Sequence, residues 1–207
     1  GHEIKTPLAI IQSNTEAMEL YNGENKWSRN IKEQTVRLSG LMQNLLLLAR
    51  MDEGASQVQA ADFSLSDMLT AALESFAQPM EAKHISLEAD VKPGVTLHAD
   101  AGQVEQLLSI LLDNAVKYTN EGGAIWIRLQ KEDKKIRLSV QNTCETLPDT
   151  PPEKLFDRFY RGDTARTQRS GGYGIGLAVA RSIAEANRGT LQADYLPPDC
   201  ICFTAQF

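Results

Sequence analysis

Apolar residues in the first quarter of the chain recur at steps of three and four, the spacing of a single helical face. Ile4, Leu8, Ile11 and Met18 mark that face over residues 4–20. The polar stretch Tyr21-Asn22-Gly23-Glu24-Asn25 interrupts it, with Gly23 as the breaker. Trp27, Ile31, Gln34, Leu38, Leu41, Leu45 and Leu48 then form a coiled-coil-like seam with one polar member. Two helices joined by so short a turn predict an αα-hairpin. Its apolar stripes exceed what two helices can cover, which predicts a four-helix bundle built by two chains, a homodimer, over packing against the rest of the same chain.

Asp52-Glu53-Gly54-Ala55-Ser56-Gln57 is small and polar and reads as a linker. It divides the chain into residues 1–56 and 57–207. Beyond it the pattern mixes two periods. Phe63-Ser64-Leu65 reads as a short strand, residues 65–83 as a helix, and Ile85-Ser86-Leu87-Glu88-Ala89 as an alternating strand. Residues 100–118 repeat at helical spacing, with Val104, Leu107, Leu108, Leu111 and Leu112 inside. Ile125–Leu129 and Ile136–Val140 read as strands around the charged hairpin tip Lys131–Lys135. A helix over 175–187 and strands at Leu191–Ala193 and Cys200–Phe203 complete the chain. The predicted second half is an α/β sandwich with helices on one face of a sheet.

Composition narrows the function classes. The 207 residues are 42% hydrophobic and 23% charged, ordinary for a globular chain and unlike a disordered one. With 21 Lys and Arg against 27 Asp and Glu the net charge is −6, and no basic cluster stands out, which argues against nucleic acid as a partner. No apolar run approaches the roughly 20 residues of a membrane helix. Cys144, Cys200 and Cys202 are an odd number without zinc spacing and read as reduced, packed thiols. The opening Gly1-His2-Glu3 lacks Met and enters helical pattern at once, as expected for a piece of a longer protein.

Three segments carry chemistry. In His2-Glu3-Ile4-Lys5-Thr6-Pro7-Leu8 an imidazole that can accept a phosphoryl group stands beside a carboxylate able to take its proton. Thr6 follows one helical turn after His2, and Pro7 is expected to kink the helix. In Asp113-Asn114-Ala115-Val116-Lys117-Tyr118-Thr119, Asn114 and Lys117 share a face and offer a neutral oxygen for a hard cation beside a positive charge. Alone, this segment also fits an ordinary surface helix end. Gly171-Gly172-Tyr173-Gly174-Ile175-Gly176-Leu177 runs into a helix whose free N–H groups suit phosphate, although a flexible turn has the same composition. A dinucleotide fold is excluded, because polar loop rather than strand precedes these glycines.

In text and order these segments resemble the sensor histidine kinases of two-component signalling. The first matches the H box, and Leu111–Thr119 matches the N box. Leu155-Phe156-Asp157-Arg158-Phe159-Tyr160-Arg161 resembles the F box, and the glycine run the second glycine box. The resemblance covers essentially the whole chain. It implies a dimerisation and phosphoacceptor hairpin over 1–56 and a Bergerat-type ATP-binding domain over 57–207, the cytoplasmic core of a membrane sensor whose membrane-spanning part lies elsewhere. By the same resemblance His2 accepts the γ-phosphoryl group of ATP, Glu3 is its base, and Thr6 orients water for dephosphorylating a response regulator. Asn114 would hold Mg²⁺, Lys117 the phosphates, and Tyr118 the adenine. Gly172, Gly174, Gly176 and Leu177 would line the phosphates, residues 161–170 would form a lid, and Phe156 and Phe159 would dock its base.

The chain departs from the family at the first glycine box, where Asn142-Thr143-Cys144-Glu145-Thr146 replaces Asp-x-Gly-x-Gly. Asn142 therefore stands where the family reads adenine with a carboxylate. A neutral hydrogen bond is weaker than a charge-assisted one, so Asn142→Asp is expected to tighten ATP binding. ATP is expected to be preferred to GTP, but by less than with a carboxylate, because the amide can flip toward guanine. Cys144 and Thr146 disfavour positive φ, which predicts a different loop path. Ile110 occupies the position where related ATPases place a catalytic Glu, which argues against plain ATP hydrolysis. The resulting expectation is a histidine kinase, with a weakly nucleotide-binding dimeric scaffold as the alternative.

Overall fold

The computed structural model describes residues 2–52, 58–160 and 174–207, with side chains from Lys5 onward and excluding that of Asp52. The chain divides into two compact units, Gly1–Ser56 and Gln57–Phe207. The first unit is the hairpin of α1 (His2–Asn22) and α2 (Lys26–Asp52), and α1 continues through Pro7. Gly23 turns the chain at φ +74°, and its N–H bonds the Glu19 carbonyl at 2.8 Å. Asn25 then caps α2: its Oδ1 accepts from the N–H groups of Trp27 (2.9 Å) and Ser28 (3.0 Å). Ser28 Oγ in return accepts from the Asn25 N–H at 3.0 Å, a reciprocal cap.

Lys32 bridges to Glu19 across the hairpin at 2.7 Å. That hydrogen bond holds the Glu19 carboxyl below its usual range. Leu8 and Leu48 are buried, and the buried Thr15 and Thr35 satisfy their hydroxyls on the carbonyls of Ile11 and Ile31. The predicted seam is only partly covered. Trp27 is 72% exposed, Ile31 and Leu38 are exposed as well, and an apolar groove runs between Leu8, Ile11, Ile31 and Leu38.

The second unit begins with β1 (Ala61–Ser64), α3 (Leu65–Ser75) and α4 (Ala77–Ala82). It continues through β2 (Ser86–Val91), β3 (Thr96–Ala99) and α5 (Ala101–Tyr118). After β4 (Ala124–Glu132) and β5 (Lys135–Thr143) comes a 3₁₀ turn at Pro152–Phe156. Helix α6 (Gly176–Ala186) and strands β6 (Thr190–Leu196) and β7 (Cys200–Gln206) end the chain. The main sheet has the order β2-β4-β5-β7-β6, antiparallel except for the β2–β4 pair. Strands β1 and β3 form a separate antiparallel ribbon.

The α/β sandwich expected from the sequence is present, with three differences in detail. The helix predicted over 65–83 is two helices, because Phe76 leaves helical geometry at φ −97°, ψ 1°. Strand β3 is not among the predicted elements, although Val95-Thr96-Leu97-His98-Ala99 alternates apolar and polar, with Val95, Leu97 and Ala99 buried. The charged tip is only two residues long, since Lys131, Glu132 and Lys135 are paired within the strands.

Alternate residues of the sheet point inward: Ile125, Ile127 and Leu129 on β4, Ile136, Leu138 and Val140 on β5, and Ile201, Phe203 and Ala205 on β7. Helix α5 lies on this face with Val104, Leu107, Leu108, Leu111 and Leu112 buried. Its N-cap, Asp100, accepts from the Gln103 N–H at 3.1 Å through Oδ1 and from the Gln59 N–H at 3.0 Å through Oδ2. Asn187, just past α6, accepts from the Asp100 N–H (2.8 Å) and donates to Gln103 Oε1 and the Ile183 carbonyl, both at 2.9 Å.

This buried amide therefore ties the end of α6 to the start of α5. Asn187→Ala should destabilise the second unit by about 1–3 kcal/mol, because the partners are left unpaired. Denaturant unfolding followed through Trp126 on β4 checks this, with Trp27 reporting separately on the hairpin.

Candidate nucleotide site

The inward stripe of α5 fixes the rotation of that helix and so the direction of its remaining faces. Ile110, Asn114 and Lys117, at i, i+4 and i+7, form a half-buried row beside the core stripe. Tyr118 is 37% exposed, and the Lys117 ammonium stands 5.3 Å from the centre of its ring.

Helix α6 starts against this row. A Cβ built on Gly176 would stand 3.4 Å from Ile110 Cγ2, so the first residue of α6 touches α5 one turn before Asn114. Ile175, at the N-cap, offers no side-chain acceptor to the first-turn N–H groups. Those groups and the positive end of the helix dipole are suited to an anion. Leu177, next in the helix, is half-buried. The second glycine segment and the N-box row, far apart in sequence, thus come together.

Gly174 has a different task. It sits at φ +69°, where a Cβ would lie 2.5 Å from the Tyr160 carbonyl oxygen and 2.8 Å from the Phe159 carbonyl carbon. The Phe159 N–H bonds the Gly174 carbonyl at 2.8 Å, so residues 159 and 174 are held side by side. Phe156 is buried edge-on against Phe203 (6.2 Å between ring centres), with the Arg181 guanidinium 5.2 Å from its ring. Phe159, also expected to dock the base of the lid, is 63% exposed at φ +64°. Gly172 and the expected lid, residues 161–170, lie outside the described residues.

Asn142 is 1% exposed and continues the inward row of β5, in register with Ile125 on β4 and Ile201 on β7. Its Nδ2 donates to the Thr143 carbonyl at 2.8 Å. Because a carbonyl only accepts, this bond fixes which end of the amide is which. Thr143 Oγ1 donates to Asn120 Oδ1 (2.9 Å) and accepts from the Ala124 N–H (3.0 Å), joining the end of β5 to the turn after α5. The residues that replace the glycines keep negative φ. Cys144 instead extends the β5–β7 ladder, its N–H bonding the Asp199 carbonyl at 2.7 Å. Burial pushes the Cys144 thiol up, so it adds no charge beside Asn142.

His2 and Glu3 belong to the first turn of α1 in the hairpin unit, and their side chains lie outside the described residues. Thr6 is exposed on the same helix. Among the described residues no group of three or more His, Cys, Asp or Glu side chains could hold a metal ion, and no helix is long and apolar enough to cross a membrane. The contact residues that sequence reasoning passed over are Asn120 and Thr143. Asn120 lies in no motif and Thr143 fills only a variable place of the altered glycine box, and the pairing of β4 with β5 brings them together.

Residues 99–206 match the family of histidine kinase-, DNA gyrase B- and HSP90-like ATPases, and residues 1–54 match the His Kinase A (phospho-acceptor) domain. The signal transduction histidine-protein kinase BaeS of Escherichia coli is 31% identical over 210 residues, covering all of this chain and 44% of BaeS. The chain spans about half the length, or less, of the curated relatives it matches. Among solved structures, full-length ShkA in complex with AMPPNP superposes with a TM-score of 0.83 at 22% identity, over 99% of this chain and 43% of ShkA. The histidine kinase ThkA in complex with the response regulator TrrA gives a TM-score of 0.64 at 21% identity, over all of this chain and 58% of that one. These two likenesses speak to the fold. With the family model matching more than half of the sequence and the phosphoacceptor model matching the hairpin, the chain belongs to the sensor histidine kinases of the histidine kinase-, DNA gyrase B- and HSP90-like ATPase family.

Proposed function

We propose that the chain is the catalytic core of an ATP-dependent protein-histidine kinase, with residues 1–56 as its dimerisation and phosphoacceptor part and 57–207 as its ATP-binding part. The observation that carries this reading is the contact of Gly176 with Ile110, which joins a helix N-terminus to the row bearing Asn114 and Lys117. Phosphoryl transfer asks mainly for positioning and charge neutralisation, and that row supplies both. Asn114 would hold Mg²⁺ through its amide oxygen, the nucleotide's own phosphates providing further ligands. The ion supplies neutralisation of phosphate charge when bound. Lys117 would meet the phosphates together with the backbone of Gly172, Gly174, Gly176 and Leu177, and Tyr118 would lie against the adenine.

His2 would attack the γ-phosphorus. An N–P bond forms, the bond to the bridging oxygen breaks with its electron pair leaving on ADP, and the imidazole proton passes to Glu3. The phosphoryl group would then go to an aspartate of a response regulator, and Thr6 would orient water for the reverse control. The sensor names of relatives such as RppB and PhoR support a sensor role for the whole protein, and its attachment to a membrane with this core in the cytoplasm is part of the same proposal. Incubation with labelled ATP should give an acid-labile, alkali-stable phosphoprotein, and His2→Gln should abolish the label. A label that persists in that variant would show that the acceptor is another residue.

The exposed part of the hairpin seam supports a second copy as its partner. Leu38→Glu would bring a charge into that interface from both chains, and the protein should shift from dimer to monomer in light scattering.

Asn142 would accept the adenine amino proton through Oδ1, since Nδ2 is engaged by the Thr143 carbonyl. This revises two expectations drawn from the sequence. Flipping the amide toward guanine would set Oδ1 against that carbonyl, so ATP should be preferred to GTP by tenfold or more. In Asn142→Asp a carboxylate oxygen would replace Nδ2 and meet the same carbonyl, so ATP should bind no tighter than to the parent. Asn142→Ala should weaken ATP about tenfold, the scale of a lost hydrogen bond of about 1.4 kcal/mol. Calorimetry on the three forms with both nucleotides checks all of this, and equal ATP affinity in Asn142→Ala would remove Asn142 from the site.

A further inference from the structure

Lys83 lies in no motif, at the end of α4, yet its ammonium reaches across to the end of α5. Its Nζ donates to the carbonyls of Val116 (2.7 Å), Lys117 (3.2 Å) and Thr119 (2.7 Å). An ammonium has three N–H donors, and all three are matched here. Val116 and Lys117 are among the last residues of the helix, whose carbonyls have no partner within it. The preceding one, of Ala115, is taken by the N–H and hydroxyl of Thr119 at 2.9 and 2.6 Å. Lys83 thus closes most of the C-terminus of α5 from a single point, with a charge of the sign that this end of a helix dipole favours.

The backbone of Lys83 takes part too. Its carbonyl accepts from the Gly122 N–H at 3.0 Å, and the Ser86 N–H bonds Gly123 at 2.9 Å, so the turn after α5 is held from the same side. Gly123 is packed so closely that a Cβ there would come within 2.7 Å of Thr119 Cγ2 and 2.8 Å of Asn120 Oδ1. Asn120 in turn accepts from Thr143, whose carbonyl orients Asn142. One network therefore runs from Lys83 through the end of α5 to both Tyr118 and Asn142. A residue that merely filled space would need an apolar side chain there. Burial pushes the Lys83 ammonium below the ordinary lysine range, a cost offset by the three carbonyls and by the charge of Glu121.

We propose that Lys83 is a positioning residue for nucleotide binding: its ammonium holds the end of α5 in the geometry from which Lys117 and Tyr118 reach the nucleotide, on the reading of the site given above. Calorimetric titration of the 207-residue chain with AMPPNP and Mg²⁺ tests it. Lys83→Met, one heavy atom shorter and without charge or donors, should bind at least tenfold more weakly, and Lys83→Arg should stay within threefold of the parent. Ile183→Val, a core change in α6, serves as the stability control and should bind like the parent. Lys83→Met binding within threefold of the parent, while Asn114→Ala is tenfold weaker, would overturn the role of Lys83 and leave the site standing. Equal weakening by Lys83→Met and the Ile183 control would reduce it to general stability and overturn it as well. If neither Asn114→Ala nor Lys83→Met alters affinity, or the parent binds nothing, the nucleotide reading falls and Lys83 with it. Should the Met form not fold, Lys83→Gln, neutral and with two N–H donors, is judged by the same limits.

Discussion

Burial of one stripe of α5 against the sheet is the constraint on which the rest of the second unit depends. Leu107, Leu108, Leu111 and Leu112 are enclosed, and each such side chain contributes roughly 1.5–3 kcal/mol relative to exposure. A rotation of the helix by a quarter turn would forfeit most of that. The burial therefore dictates that Ile110, Asn114 and Lys117 occupy the flank, and that α6 meets them at Gly176. The polar residues of the candidate site are placed by the apolar packing of their helix.

The end of β5 shows how the fold accommodates a loop without glycines. Asn142 sits where the inward row of β5 would otherwise carry an apolar residue, at the position for which the family resemblance implies a carboxylate. An ionised group buried there needs a compensating partner, whereas a neutral amide needs only hydrogen bonds. One is supplied locally by the Thr143 carbonyl. The chain beyond, freed from any requirement for positive φ, follows the ladder to Asp199. Loss of the glycines and loss of the charge are thus mutually consistent, because an ordinary extended backbone brings the Thr143 carbonyl beside the amide.

The hairpin follows a different logic. Its turn is specified locally, by Gly23 and by the reciprocal cap of Asn25 and Ser28, and is reinforced by Lys32 with Glu19. What it lacks is cover. Ile31, Leu38 and Trp27 remain exposed within one chain, so the stripe that defines the helix in the sequence is also the part of it still open to a partner.

Periodicity alone determined the hairpin, the long helix α5 and the antiparallel strands around the charged tip, because each buries a face whose repeat is written within a dozen residues. The motif residues Asn114, Lys117 and the second glycine segment were legible for the same reason, as local text on a helix end and a helix start. Other features became visible only in the folded chain. The helix predicted over 65–83 breaks at Phe76, and β3 pairs with β1 in a ribbon apart from the main sheet. Asn120, Thr143 and Lys83 acquire their partners 23 to 36 residues away. A lysine in an amphipathic stretch is a solvated charge until a helix end without hydrogen-bond partners is packed beside it. Local sequence sets the period of each element. Which carbonyls are left over, and which side chain reaches them, is decided by how the elements pack.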